Sequence, residues 1–435
     1  MDISRQKCPM FCSNNYKMEN MKRRLIVIFF ALLSATVMLH AQSYSMIIKG
    51  GHVIDPKNNI NGTMDIAIDD GKIALVAKNI DAKQGKQVVN ARNLYVTPGL
   101  IDMHVHVFYG TRYGQALMNG QSSVNADAFS FRAGVTTVVD AGSSGWRNFK
   151  DFKKQIIDVS QTRILAFLNI VGEGMRGGSF DQDIKDMDAH KAAESAKAYS
   201  KEIIGFKLAH YNGHDWAPTD ITVVAGRLLN LPVMIDFGSA VPHLSLEELL
   251  MNHLRPGDIF THTYANWPKK REAAVDEKGK VKPYIFEAKK KGLIFDVGHG
   301  GGSFFWSQAI PAIKQGFIAD VISSDLHTGS MNSSMKDMCN IMSKFLNMGI
   351  SVQDVILRST WNPAKVINRP ELGNLSVGSE ADVALFSLVK GDFGFIDITG
   401  ERLTGKQKLV AELTLRAGNV MWDLNGIAAT KETKY

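Results

Sequence analysis

The sequence predicts an α/β fold: a (β/α)8 TIM barrel with a small β-sandwich formed by the N- and C-terminal segments. Three observations carry this. Eight apolar, strand-like runs alternate with helix-length segments between about 96 and 368. Short β patterns cut by turn residues flank that stretch on both sides. The chain's 435 residues suit a barrel of roughly 250 residues plus something smaller.

Residues 1–41 read as a signal peptide with an upstream leader. Lys22, Arg23 and Arg24 precede the apolar run LIVIFFALLSATVML, which ends at Leu39-His40-Ala41 before Gln42. A basic start, a short apolar middle and a small residue at the cut mark a secretory signal. The run is short for a spanning helix; the alternative is an uncleaved anchor. No other stretch is apolar enough to span a bilayer. The expected location is secreted or periplasmic, with no stable membrane insertion after processing. Residues 1–20 add nothing to the signal, which makes Met18 or Met21 a candidate start.

Residues 42–95 form the N-terminal part of the sandwich. SYSMIIKGGHVIDP, TMDIAIDDGKIALVA and QVVNARNLYV alternate in polarity and are separated by Gly, Asp and Asn turns. The barrel, 96–368, follows. Its runs are GLIDMHVHV (99–107), GVTTVVDAG (134–142), RILAFLNIVG (163–172), IIGFKLAH (203–210), LPVMIDFG (231–238), DIFTHTYA (258–265), LIFDVGHG (293–300) and DVISSDLHT (320–328). Near-continuous apolar runs between helices imply a parallel sheet covered on both faces, and eight of them imply closure. Residues 369–435 return to strand-and-turn, with ADVALFS and LVAELTLRAGNVMWDLNG completing the sandwich.

Composition narrows the function classes. Hydrophobic content of 45% and charged content of 21% are ordinary for a globular enzyme. Of the formal +7, the leader carries six basic against two acidic side chains, which leaves about +3 elsewhere. That is a mildly basic surface with no nucleic-acid patch; Lys289-Lys290-Lys291 reads as an exposed helix end. Cys8 and Cys12 lie in the leader, so the processed chain keeps only Cys339, with no disulfide framework or cysteine zinc site. Cys339 sits in a helical pattern and reads as core filler.

Nearly every barrel run ends in His, Asp or Lys. Those ends converge on one face of a (β/α)8 barrel, the face that carries active sites. Strands have no structural need for so many buried ionisable groups at one rim. His104 and His106 are two apart on one strand and point to the same side, so both imidazoles reach one metal ion. Pro98-Gly99 turns sharply into that strand. Lys207, in GFKLA, sits where an unpaired ammonium is disfavoured. Burial leaves a neutral amine that adds CO2 to give a carbamate, an anionic oxygen ligand for cations; the alternative is a lysine that binds a substrate anion. His262, in IFTHTYA, is a third rim imidazole or else a satisfied core histidine. Asp325, in ISSDLHT, is placed to hold a metal and take a proton from its water, or else caps a helix. His299 and Ser303 flank Gly300-Gly301-Gly302, which read as a substrate-facing loop. His210, His214 and His327 lie just past rim ligands and are candidates to touch substrate or orient the ligands.

VTPGLIDMHVH, GFKLAHYNG, IFTHTYAN and VISSDLH resemble strands one, four, six and eight of the amidohydrolase superfamily, and the terminal segments resemble its β-sandwich. Within it the chain looks closest to deacetylase and dihydroorotase-like metallohydrolases. The resemblance implies that His104, His106 and Asp325 bind one zinc, and that carboxylated Lys207 bridges it to a second held by His262. It implies hydroxide between the metals attacking a carbonyl, with Asp325 as proton shuttle. One position departs from the pattern: the strand-five metal histidine is matched by Asp236, in LPVMIDFG. A carboxylate is a legitimate zinc ligand. Either Asp236 holds the second ion or that ion is weak or absent. The first histidine pair is followed by VFYGTRYG, with Arg112 displaced and no Glu-Pro-Gly, which argues against a cyclic ureide substrate.

The expected function is metal-dependent hydrolysis of an amide or ester bond in a small acylated compound, with one or two zinc ions or another divalent metal. A lactone, cyclic imide or isopeptide hydrolase is the alternative on the same site, and a secreted binding protein on a degenerate barrel is the alternative of another class. Self-association into a homo-oligomer stays open.

Overall fold

The computed structural model describes residues 44–109, 122–238, 241 and 243–431. The signal segment and Arg112 lie outside the described residues. Among those described, no helix is long and apolar enough to cross a membrane.

Both ends of the chain build one mixed sheet. Its strands are β1 (Met46–Asp55), β2 (Ile60–Asp69), β3 (Lys72–Ala77), β4 (Val88–Asn90) and β5 (Tyr95–Pro98), then β13 (Val383–Ile396), β14 (Arg402–Arg416) and β15 (Asn419–Asp423). The order is β15-β14-β13-β5-β1-β2-β3, with β4 paired to β1. β5 joins the two halves, parallel to β1 and antiparallel to β13. Alternating apolar positions bury Ile48, Val53, Ile66, Val96, Val383 and Leu413 in a core of their own.

The second sheet holds seven parallel strands: β6 (Leu100–Val105), β7 (Val135–Gly145), β8 (Arg163–Asn169), β9 (Ile203–Leu208), β10 (Val233–Ile235), β11 (Ile259–Phe260) and β12 (Ile294–Phe295). Every residue of β6, β7 and β9 is buried, as unbroken apolar runs require. Helices such as Ala217–Leu229, Pro283–Lys291 and Met338–Asn347 line the outside. Cys339 is buried in the last of these. Gly99 links the sheets: a Cβ there would lie 2.2 Å from Thr136 Oγ1, so no larger residue fits between β5 and β6.

The eighth predicted strand is not one. The segment 320–328 makes single parallel bridges, Val321 to Asp296 and Leu326 to Val105, and no regular ladder closes the sheet. Contacts from across the fold and one turn account for this. Ser324 donates its backbone N–H to Asp102 Oδ1 at 2.9 Å, and Ser323 Oγ donates to Asp296 Oδ1 at 2.6 Å. Asp325 has a φ of 51°, a left-handed conformation that breaks an extended strand. Backbone N–H groups of Val297, His299 and Gly300 on one side and of His106 on the other still donate to the segment's carbonyls, the carboxylates of Asp102 and Asp296 take its Ser donors, and the turn aims Asp325 inward.

Candidate active site

β6 delivers the first two ligands. His104 and His106 are buried at its C-terminal end, their ring centroids 5.6 Å apart. In each ring Nδ1 is engaged behind the site. His104 Nδ1 lies 3.2 Å from Asp296 Oδ2 and 3.0 Å from Thr261 Oγ1; His106 Nδ1 lies 3.2 Å from Ser143 Oγ. Nε2 is thereby left facing Asp325, whose Oδ1 is 3.0 Å from His106 Nε2 and 3.7 Å from His104 Nε2. Ligand atoms of these three residues all fall within 4.8 Å of one another. Zinc needs donors at about 2 Å, so small rotamer shifts would close the set on one ion. Burial would raise the Asp325 carboxyl, but the hydrogen bond from His106 and the surrounding imidazoles hold it below the usual carboxylate range.

Asp325 is held from two directions. Its carbonyl accepts from Ser330 Oγ at 2.8 Å. Gly300, with φ of 56°, packs against its carboxylate so closely that a Cβ would sit 2.4 Å from Oδ2. Gly300→Ala is therefore expected to displace the carboxylate. An error of about 1 Å costs on the order of 10²-fold in rate, and steady-state assay beside an unchanged far-UV circular dichroism spectrum checks it. Wild-type kcat in that variant would refute the tight placement.

The remaining predicted ligands form the other half of the pocket. Lys207 ends β9, almost fully buried, and its Nζ has no hydrogen-bond partner among the described residues. Burial pulls its pKa down, although Asp236 and Asp325 work the other way. His262 donates from Nδ1 to the Gly298 carbonyl at 2.6 Å and turns Nε2 toward Asp236 Oδ2, 3.5 Å away. Buried Arg271 donates to the carbonyls of Thr261 and His262 and lies over the rings of Phe260 and Trp267, fixing the turn that carries His262. Asp236 follows β10. Burial disfavours its charge, but His262, Lys207 and His210 around it keep it well below the ordinary carboxylate value. His210, His262 and Asp325 all have positive φ, at 59°, 56° and 51°. Each such conformation costs about 1 kcal/mol or more, and all three lie at this rim.

These groups line one cavity of about 300 Å³. Its wall also includes Met175, Tyr211, Asn212, Phe237, Trp267 and Lys270. Of the residues expected to face substrate, His210, Ser303 and His327 line it. His327 also caps the helix Thr328–Met331, with Nδ1 accepting from Gly329 N–H at 3.1 Å. His299 and His214 are not in the wall. His299 is fully buried, stacks on Phe304 with centroids 4.5 Å apart, and meets Lys344 Nζ at 2.8 Å. Turns at Gly298 and Gly300, both with positive φ, point it away.

Sequence reasoning missed the groups behind the ligands. Asp296 backs His104. Asp102 binds Ser324, and burial raises its carboxyl to about 7. Asp140 accepts from the backbone N–H groups of Val107 and Ser143 at 2.8 and 2.7 Å, and burial raises its pKa too. The available signal was an aspartate within the apolar runs LID, VVD and IFD, where an unpaired charge is costly.

The profile of the amidohydrolase family matches residues 305–419. A deacetylase of Brucella anthropi is 33% identical over 349 residues, covering 78% of this chain and 83% of that protein. A solved structure titled an adenine deaminase superposes with a TM-score of 0.78 at 26% identity, over 88% of this chain and all of the other. One titled a dihydroorotase gives 0.75 at 29%, over 86% of this chain and 98% of the other.

Proposed function

The chain belongs to the amidohydrolase superfamily and is a hydrolase of carbon–nitrogen bonds, and from that premise we propose that it hydrolyses the amide bond of a small acylated compound, with Asp325 as the proton carrier. The observation that carries this is the convergence of His104, His106 and Asp325 in one pocket with Lys207, whose buried amine lacks a partner. The donor set fits a divalent metal: imidazole nitrogens with Nδ1 already engaged, a carboxylate, and an unpartnered amine whose pKa burial lowers, which favours carboxylation. His104, His106 and Asp325 would hold a first ion; carboxylated Lys207, Asp236 and His262 would hold a second. A bound zinc or similar ion supplies Lewis acidity and makes water acidic near neutral pH.

The chain's own groups do the rest. The cavity seats a small substrate, with its carbonyl toward the histidines and its remainder toward Tyr211, Asn212 and Lys270. Asp325 takes a proton from the attacking water and delivers it to the leaving nitrogen. Asp296 and Ser143 keep the two β6 imidazoles in the tautomer that presents Nε2. The leader at 1–41 supports export of the processed enzyme.

Metal analysis of the pure protein tests this, together with assays on N-acetyl amino acids, O-acetylated hydroxy acids and lactones. Zinc or a similar ion is expected, turnover is expected on the N-acyl compounds, and His104→Ala should abolish it. A metal-free protein with full activity, or turnover of lactones alone, would refute the reading.

A further inference from the structure

We propose that His210 is a ligand to the second cation, so that the end of β9 supplies the imidazole that β10 lacks where Asp236 stands. This rests on the metallohydrolase reading above.

The pocket has two halves, each with a pair of imidazoles facing one carboxylate; among the described residues only the His104, His106 and Asp325 half already gathers all its ligand atoms within 4.8 Å of one another. Around Asp325, two imidazoles turn Nε2 toward one carboxylate oxygen, at 3.0 and 3.7 Å from Oδ1. Around Asp236, His262 and His210 do the same, each Nε2 at 3.5 Å from Oδ2. Three of the four rings are anchored from behind by hydrogen bonds, and the half-exposed fourth faces a carboxylate just beyond hydrogen-bond reach. His104, His106 and His262 have Nδ1 held by Asp296, Ser143 and the Gly298 carbonyl. His210 Nδ1 faces Asp181 Oδ2 at 3.6 Å. Asp181 is itself buried and accepts from Gly177 N–H at 3.1 Å. Metal-binding histidines donate their second nitrogen to just such a carboxylate or carbonyl, which fixes the ring and its tautomer.

A second, independent observation points to a ligand in this half. The Nζ of Lys207 is buried, has no hydrogen-bond partner among the described residues, and lines the same wall as His210, Asp236 and His262. A carbamate there, with Asp236, His262 and His210, gives two anionic oxygens and two neutral nitrogens, a donor set suited to a zinc-like ion. The role expected for His210 from sequence, contact with substrate, thereby becomes metal binding.

The test is metal stoichiometry by equilibrium dialysis against zinc, with the absorption spectrum of the cobalt-loaded protein as the readout of ligand type. Wild type is expected to take up two ions per chain. His210→Gln and His210→Ala should take up one tightly, with folded circular dichroism spectra and the first site intact. Adding Asp236→His to His210→Ala should restore the second ion, because the missing imidazole returns from β10. Asp181→Asn should weaken the second ion by about 10- to 100-fold and leave the first unchanged. The proposal is overturned if His210→Gln keeps both ions with wild-type affinity and spectrum, or if wild type binds a single ion. A wild-type chain that binds no ion while hydrolysing its substrate overturns the metallohydrolase reading itself, a distinct result.

Discussion

Asp325→Asn is expected to lower kcat by about 10²- to 10⁴-fold, the range that general acid–base catalysis supplies. The amide keeps the size of the carboxylate and an oxygen that faces the imidazoles. What it loses is the capacity to accept and return a proton. Oδ1 lies 3.0 Å from His106 Nε2 and Oδ2 lies 3.9 Å from His327 Nε2, so the carboxylate stands between the first ligand pair and the pocket wall. The left-handed turn at Asp325 and the glycine at 300 leave it little freedom to be replaced by another group. Turnover measured beside metal content separates two causes. A variant that keeps its metal but loses rate has lost the proton carrier. A variant that keeps its metal and its wild-type kcat would remove Asp325 from the chemistry.

Lys207→Met should do two opposite things. It should abolish most activity, because no carbamate can form. It should also stabilise the metal-free protein by about 1–3 kcal/mol, the usual cost of burying a polar group without a partner. Methionine fills a similar volume without the amine. Linkage gives the sign of the pH dependence. Burial lowers the folded-state pKa of Lys207 from its ordinary 10.5, so between the two values the unfolded chain binds more protons than the native one. Wild-type stability then rises with pH through that window and falls as pH drops toward the folded value. The methionine variant lacks this contribution, so its advantage should shrink as pH rises toward 10.5. Denaturant titrations in the presence of a chelator at several pH values measure this. A destabilised variant, or one whose advantage is independent of pH, would mean that Lys207 is paired in the metal-free chain.

The site was legible to different depths. Strand parity placed His104 and His106 on one side of β6 from the sequence alone, because successive side chains in a strand alternate. The same logic put Lys207, Asp236 and His262 at strand ends, and the structure brings all of them to one cavity with Asp325. His299 shows the limit. It has the same position in its run as the others, yet glycine turns on both sides send it to the back of the pocket against Phe304 and Lys344.

Local pattern by itself determined the apolar runs, their β or α period and the run-end positions of the ligands, since these follow from periodicity within a few residues; the termini, expected to form a sandwich, instead pair in one mixed sheet, which only the tertiary structure decided. Tertiary structure alone decided that the eighth run is bridged through Asp102 and Asp296 without becoming a strand. It alone decided that His104 is oriented by a carboxylate 192 positions away and that His210 faces Asp181 and Asp236. A buried polar group takes whatever partner the fold brings near, and no spacing along the chain encodes that partner.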